Sequence, residues 1–231
     1  EKVVNLFTFI AEEVREMLEA SGGVGIAGAD VLEVGCGLGA AAVMLINDFG
    51  ASSVFGLDVE AHLIAHCRER AERAGLAGRT SFELVEPGPL PVEDSRFDVV
   101  FSKDAIVHIP DKTAFYGEVM RVLKPGGWIV ASDWLRGGEA TFTPKAREWL
   151  EFVHLNFQMQ QGADTVADLE AAGFESVALN DRNDWYQGEI IRELASLEGD
   201  RFKELETMIG ADEAAYRLKN SRLKKHAIDD G

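Results

Sequence analysis

The sequence predicts an α/β fold: a doubly wound, mostly parallel sheet with helices on both faces. Two observations carry this. Short apolar runs alternate with amphipathic or small-residue stretches from residue 31 to residue 132, which is the pattern of βαβ units. A glycine-rich turn, Gly35-Cys36-Gly37-Leu38-Gly39, follows the first apolar run and opens a helix-like stretch, as ligand-binding βα turns do.

The elements follow in order. Val3, Phe7, Ile10, Val14 and Met17 recur at helical spacing and predict a helix over 3–20, ended by Gly22, Gly23 and Gly25. Residues 31–34 form the first strand, 40–48 a small-residue helix, 53–57 the second strand ending at Asp58, and 60–74 a helix closed by Gly75. Residues 80–85 are the third strand, followed by the loop of Pro87, Pro89 and Pro91. Residues 97–101 are the fourth strand, 112–123 a helix stopped by Pro125-Gly126-Gly127, and 128–132 the fifth strand. Beyond Gly137 the pattern predicts helices over 144–161 and 164–172, a sixth strand over 174–179 and charged helices over 185–225. The whole reads as one domain over 1–231, with an N-terminal helix (1–25), a cofactor-binding core (30–135) and a substrate-side region (136–231).

Composition excludes several classes of partner. The chain has 231 residues, 46% apolar and 27% charged, enough for a folded core. Its 23 basic and 40 acidic residues give a net charge of −17, a field that repels nucleic acid and anionic lipid. No apolar run reaches membrane-span length. The two cysteines, Cys36 and Cys67, form no metal-type pair, which fits a reduced cytoplasmic protein. His62 and His66 have i, i+4 spacing but no accompanying ligands, so no metal is expected.

In an open α/β sheet, ligands bind beyond the carboxyl ends of the strands. Four such ends here carry informative residues. Glu33 and the loop with Gly35, Cys36 and Gly37 allow close backbone approach. Asp58 and Val59 end the second strand about 20 residues later, where a carboxylate accepts from ribose hydroxyls or caps the next helix. Glu86 and Pro87 follow the third strand, where an acid can accept from an adenine amino group. Ser102 and Lys103 end the fourth strand and lead into Asp104-Ala105-Ile106-Val107-His108. Asp104 and His108 share a face if this segment is a helical turn, and a carboxylate can orient an imidazole and raise its basicity.

These residues resemble the class I S-adenosylmethionine-dependent methyltransferases, with a Rossmann-like sheet whose final strand is antiparallel. The markers are the 31–39 stretch VLEVGCGLG, Gly56-Leu57-Asp58-Val59, Arg96-Phe97-Asp98-Val99-Val100 and Leu123-Lys124-Pro125-Gly126-Gly127. The resemblance implies that S-adenosyl-L-methionine is the cofactor. It sets Glu33 and the glycine loop against the methionine part, Asp58 at the ribose, and Glu86 and Pro87 at the adenine.

Ser102–Lys112, Ser132-Asp133-Trp134, the 168–174 stretch DLEAAGF and Asp181-Arg182-Asn183-Asp184 are most similar to the phosphoethanolamine (phosphobase) N-methyltransferases. In that family the acid and histidine matching Asp104 and His108 bind the amine and move its proton. Trp134 departs from that family's tyrosine. The stretch 157–163, FQMQQGA, lacks its phosphate-gripping Arg and Tyr. Phe157, Gln161 and Trp134 are therefore the substrate-side candidates, with Lys219 or Arg217 to replace a lost contact. Trp149 and Phe152 join Trp134 and Phe157 as a candidate aromatic wall, or else as core.

The expected activity is methyl transfer to a small molecule, an amine nitrogen first. The alternatives are sulfur methylation of a thioether or thiol, and an NAD-binding oxidoreductase suggested by the relaxed G-x-G-x-x-A spacing of Gly35, Gly37 and Ala40. The motifs specify neither the acceptor nor the oligomeric state. No β-rich run follows Trp185, so the family's last strand is expected to be absent or very short.

Overall fold

The structure is a computed structural model that describes residues 15, 25–137, 142–198 and 201–229. The predicted helix over 3–20 lies outside the described residues apart from Arg15, which is helical. The chain divides into two compact units: 1–135 with 163–178, and 136–162 with 179–231.

In the first unit, β1 (Asp30–Val34), α1 (Ala40–Asn47), β2 (Ser53–Asp58), α2 (Ala61–Arg73), β3 (Thr80–Leu84), β4 (Phe97–Lys103), α3 (Lys112–Val122) and β5 (Leu123–Ser132) alternate along the chain. The five strands are all parallel, in the order β3-β2-β1-β4-β5. This is the Rossmann-like, doubly wound architecture. The order reverses at β1 and β4, which makes their carboxyl ends the switch point where ligands bind.

Strand periodicity divides the core between the two faces. Val31, Val54, Val99 and Phe101 pack with Ala41, Ala42, Leu45, Ile64 and Cys67 from α1 and α2. Leu32, Leu57, Val100 and Phe97 pack on the other side with Phe115, Tyr116 and Val119 of α3. Leu32 is fully buried, so Leu32→Ala would cost about 2–5 kcal/mol. The small residues Ala41 and Ala42 let α1 lie close against the sheet. The Asp111 carboxylate accepts from Ala114 N at 2.9 Å and starts α3.

The fifth strand begins earlier than the sequence predicts. Pairing starts at Leu123 with Phe97, then resumes at Trp128 with Val99, with an irregularity between them. Lys124-Pro125-Gly126-Gly127 forms that irregularity, with φ +79 at Gly126. A bulge of this kind lets proline sit in a strand.

The predicted sixth strand over 174–179 does not form. Ser176 takes a left-handed φ of 57, which breaks an extended run. Phe174 N donates to Leu169 O at 3.1 Å and ties the segment to the end of α4 (Gly162–Ala171). Phe174 and Leu169 still pack on the face of the sheet that α3 covers. Thr113 Oγ1 donates to Asp168 at 2.9 Å and joins α3 to α4.

The second unit holds α5 (Pro144–Val153), α6 (Asn183–Leu197), α7 (Arg201–Ile209) and α8 (Ala211–Asp229). The helix predicted over 144–161 ends at Val153, because His154 adopts a left-handed φ of 53. Trp149 Nε1 donates to Asn220 at 2.9 Å, and Phe152 stacks on Tyr216 with centroids 5.0 Å apart. Those contacts join the 144–153 helix to α8. Residues 183–197, 201–209 and 211–229 are all helical, so the described C-terminal part adds no strand to the sheet. Among the described residues no helix is long and apolar enough to cross a membrane.

Candidate active site

The glycine loop is shaped by the residues packed around it. Gly35 has φ +75, and a Cβ there would lie 2.3 Å from Ala105 Cβ. Only glycine lets the segment after β4 lie against the loop. Gly37 has φ +50 with open space where a Cβ would project, the condition for close backbone approach by a ligand. Gly35 N and Cys36 N both donate to Leu57 O, at 2.9 and 3.0 Å.

Asp58 holds this loop to β2. One carboxylate oxygen accepts from Gly37 N at 2.8 Å and the other from Glu60 N at 3.0 Å. The cap position of α2 is Glu60, so Asp58 works through the turn before the helix. Each of its oxygens keeps a second lone pair for a hydroxyl. Val59 is 54% exposed beside it, as is Leu38 at 48%.

Glu33 is buried at 3% exposure, and among the described residues its Oε2 has no hydrogen-bond partner. Burial, followed by the Cys67 and Asp58 charges, pushes its carboxyl well above the usual carboxylate range. A buried acceptor left unpaired costs stability unless a ligand supplies the donor. Glu86 and Pro87 are exposed just past β3, whose neighbour Val85 donates to Asp58 O at 2.9 Å.

Cys36 turns its side chain beneath the loop, 3.8 Å from Cys67 Sγ. Its hydrogen bond to Cys67, with burial, pushes the Cys36 thiol up. Cys67 Sγ donates to Gly37 O at 3.1 Å. The Cys36 carbonyl accepts from Gly39 N at 2.8 Å and keeps a second lone pair. Ser102 is buried, and its hydroxyl donates to Val34 O at 3.0 Å, stitching β4 to β1. His62 and His66 turn toward Glu60 and Glu69 on the exposed side of α2. Among the described residues no cluster is arranged to hold a metal.

The segment after β4 is less helical than its spacing suggests. Only Ile106–His108 forms a 3-10 turn. Asp104 precedes it with φ +54, and its carboxylate pairs with Lys103. Positive φ at a non-glycine residue is strained and recurs at functional sites. Asp104 and His108 are both exposed, while Ile106 and Val107 are buried in the core.

Asp133, one residue past β5, enters the sequence reading only within Ser132-Asp133-Trp134 and carries no role there. Its Oδ2 accepts from Val107 N and its Oδ1 from Trp134 N, both at 2.8 Å. Burial pushes its carboxyl up to about 6, against the lowering effect of these donors. Its signal is its place: an acid one residue past the carboxyl end of a strand, as Asp58 is at the end of β2. Lys112 is also buried; its Nζ donates to Ile109 O at 2.8 Å, and burial holds its ammonium below the usual lysine range.

The remaining substrate-side candidates lie elsewhere. Trp134 follows Asp133 in the first unit. Phe157, Gln161 and Lys219 belong to the second. Phe157 packs on Trp149 with centroids 5.8 Å apart, and Lys219 Nζ sits 4.6 Å from the Phe152 ring centroid. Trp149 and Phe152 are therefore packing residues of the helices over 144–153 and 211–229. Gln161 bridges to Arg136, whose N–H donates to Gln160 O at 2.9 Å.

A model of the methyltransferase domain family matches residues 27–203. The chain belongs to this family, as a class I, S-adenosylmethionine-dependent methyltransferase. Phosphoethanolamine N-methyltransferase 1 of Arabidopsis thaliana is 34% identical over 183 residues, 76% of this chain and 35% of that protein. Methyltransferase GfsG of Streptomyces halstedii is 36% identical over 124 residues, 54% of this chain and 42% of that protein. The chain thus spans about a third of the length of the plant relatives it matches. A structure of Haemonchus contortus phosphoethanolamine N-methyltransferase 2, with phosphomonomethylethanolamine and S-adenosylhomocysteine, superposes with a TM-score of 0.84 at 22% identity. It covers 95% of this chain and 50% of that one, a likeness of fold.

Proposed function

We propose that this chain transfers a methyl group from S-adenosylmethionine to a small-molecule amine at the carboxyl ends of β1, β2, β4 and β5. The observation that carries the reading is the buried Oε2 of Glu33, unpartnered among the described residues, beside a glycine loop open to a ligand. A cationic amino group such as that of the methionine part meets that need.

Glu33, Gly35, Gly37 and the Cys36 backbone hold the methionine part in this reading. Asp58 and Val59 take the ribose, Glu86 and Pro87 flank the adenine, and Ser102 and Lys103 form the floor at β4. When bound, S-adenosylmethionine supplies a sulfonium methyl group open to in-line displacement by a lone pair.

An amine acceptor arrives as an ammonium and needs a group to take its proton. His108 is exposed on the turn after β4, and a histidine near neutrality can do this. Asp104 pairs with the incoming ammonium in competition with Lys103. The residues 157–163 carry neither Arg nor Tyr, so phosphoethanolamine is a weaker acceptor here than an uncharged or cationic amine of similar size.

The test is S-adenosylhomocysteine release over a panel of amines, phosphoamines and thioethers. Turnover confined to thioethers would overturn the amine reading. Efficient phosphoethanolamine turnover, undiminished by Lys219→Ala, would overturn the ranking of acceptors.

A further inference from the structure

We infer that Asp133 is a positioning residue that sets the 3-10 turn carrying His108; the inference rests on the amine-methylation reading for its catalytic consequence.

The turn cannot cap itself. The first N–H groups of any helical turn lack partners within it. Here the cap position is Ala105, which has no side-chain acceptor. Asp133 fills that role from another strand, accepting from Val107 N at 2.8 Å, with Ile106 N also among its donors. Its second oxygen accepts from Trp134 N at 2.8 Å, which fixes the carboxylate plane. A negative charge at the amino end of a helical turn is favourable besides.

The other end is held as well. Ile109 N donates to Ile106 O at 3.0 Å and Lys112 Nζ donates to Ile109 O at 2.8 Å. Ile106 and Val107 anchor the turn in the core. His108 follows Val107 directly, so the Asp133–Val107 bond acts one residue from the imidazole. A displacement of about 1 Å in such a group is enough to cost about 10²-fold in rate.

Asp104, just past β4, repels the Asp133 charge, and Lys103 pairs with Asp104. Lys112 and Tyr116 on α3 feel the charges of both Asp133 and Asp168, the latter on α4. His108 follows Val107 on the turn itself.

Asp133→Asn separates this role from simple packing. The amide is isosteric, but its NH2 must face at least one of the backbone N–H donors that the carboxylate now accepts. The expected result is a fall in kcat of about 10-fold or more with the best amine of the panel. S-adenosylmethionine affinity should stay within about twofold, because Glu33, Asp58 and the glycine loop are untouched. The Val107 amide should lose hydrogen-exchange protection while amides in β1 keep theirs. If the variant fails to fold, the wild-type Val107 amide is followed instead; its protection should drop as the pH is lowered through about 6, as Asp133 gains a proton.

Wild-type kcat and Val107 protection in Asp133→Asn would overturn the inference. So would a loss of cofactor affinity in step with thermal stability, or pH-independent Val107 protection in the wild type. The exchange measurement needs no acceptor. Failure of every amine in the panel would therefore remove the proposed reaction while the positioning role is still decided.

Discussion

Gly35→Ala tests how the cofactor loop and the acceptor-side segment are joined. The new Cβ would stand 2.3 Å from Ala105 Cβ, where carbon atoms pack at about 3.5–4.0 Å. One of the two segments must move by more than about 1 Å. Gly35 also has φ +75, which costs an L-residue about 1–2 kcal/mol. Overpacking adds about 1–3 kcal/mol, so the single variant should lose about 2–5 kcal/mol. The structure also names the remedy. Removing the Ala105 side chain leaves Ala105 Cα at 3.7 Å from the new Cβ, an ordinary contact. Gly35→Ala/Ala105→Gly should therefore recover about 1–3 kcal/mol and keep only the backbone strain. Urea unfolding of the four proteins closes the double-mutant cycle. Calorimetry with S-adenosylmethionine should show affinity lost in the single variant and partly regained in the double. A neutral Gly35→Ala, or a double variant no more stable than the single, would refute the reasoning.

Asp58→Ala should weaken S-adenosylmethionine by about 1–3 kcal/mol in the same titration, since it frees Gly37 N and removes the hydroxyl acceptor. His108→Ala and Asp104→Ala should each lower turnover by about 10²–10⁴-fold with cofactor affinity nearly kept, and the losses should not add. Near-wild-type rates in His108→Ala would end the proton-transfer role. Glu33→Gln should weaken cofactor binding yet stabilise the free protein at neutral pH, because it removes a buried ionisable group. The sign follows from the raised Glu33 value: the folded state holds a proton that the unfolded state releases. Wild-type stability from this group is thus greatest below the ordinary glutamate range and falls as pH rises through the folded value. Chemical denaturation of both proteins across that window should show the gap widening with pH.

Much of the fold was legible from local signals. Apolar runs and glycine or proline stops mark each of the five strands near its observed place, most clearly β1, β2 and β4, whose buried faces demand apolar residues along most of their length. The glycine loop and Asp58 were legible because their spacing after strand ends is itself a local pattern. The sixth strand does not form. Residues 174–179 hold Phe174, Val177 and Leu179 in a short run after Gly173, yet Ser176 turns left-handed and Phe174 bonds back to Leu169. The helix over 144–161 was overextended because nothing in the apolar pattern marks the left-handed turn at His154.

The sequence by itself determined the alternation of strands and helices, the strand ends that face a ligand, and the residue types available there. These depend on neighbours a few positions apart. Tertiary structure alone decided what those side chains meet. It buried Glu33 with an oxygen that is unpartnered among the described residues, placed Asp104 in a strained turn beside Lys103, and packed Trp149 and Phe152 against the helix over 211–229. It also brought Asp133 to Val107, 26 residues away in sequence. Burial and hydrogen-bond satisfaction are properties of segments brought together from distant parts of the chain. No periodicity within one segment encodes them.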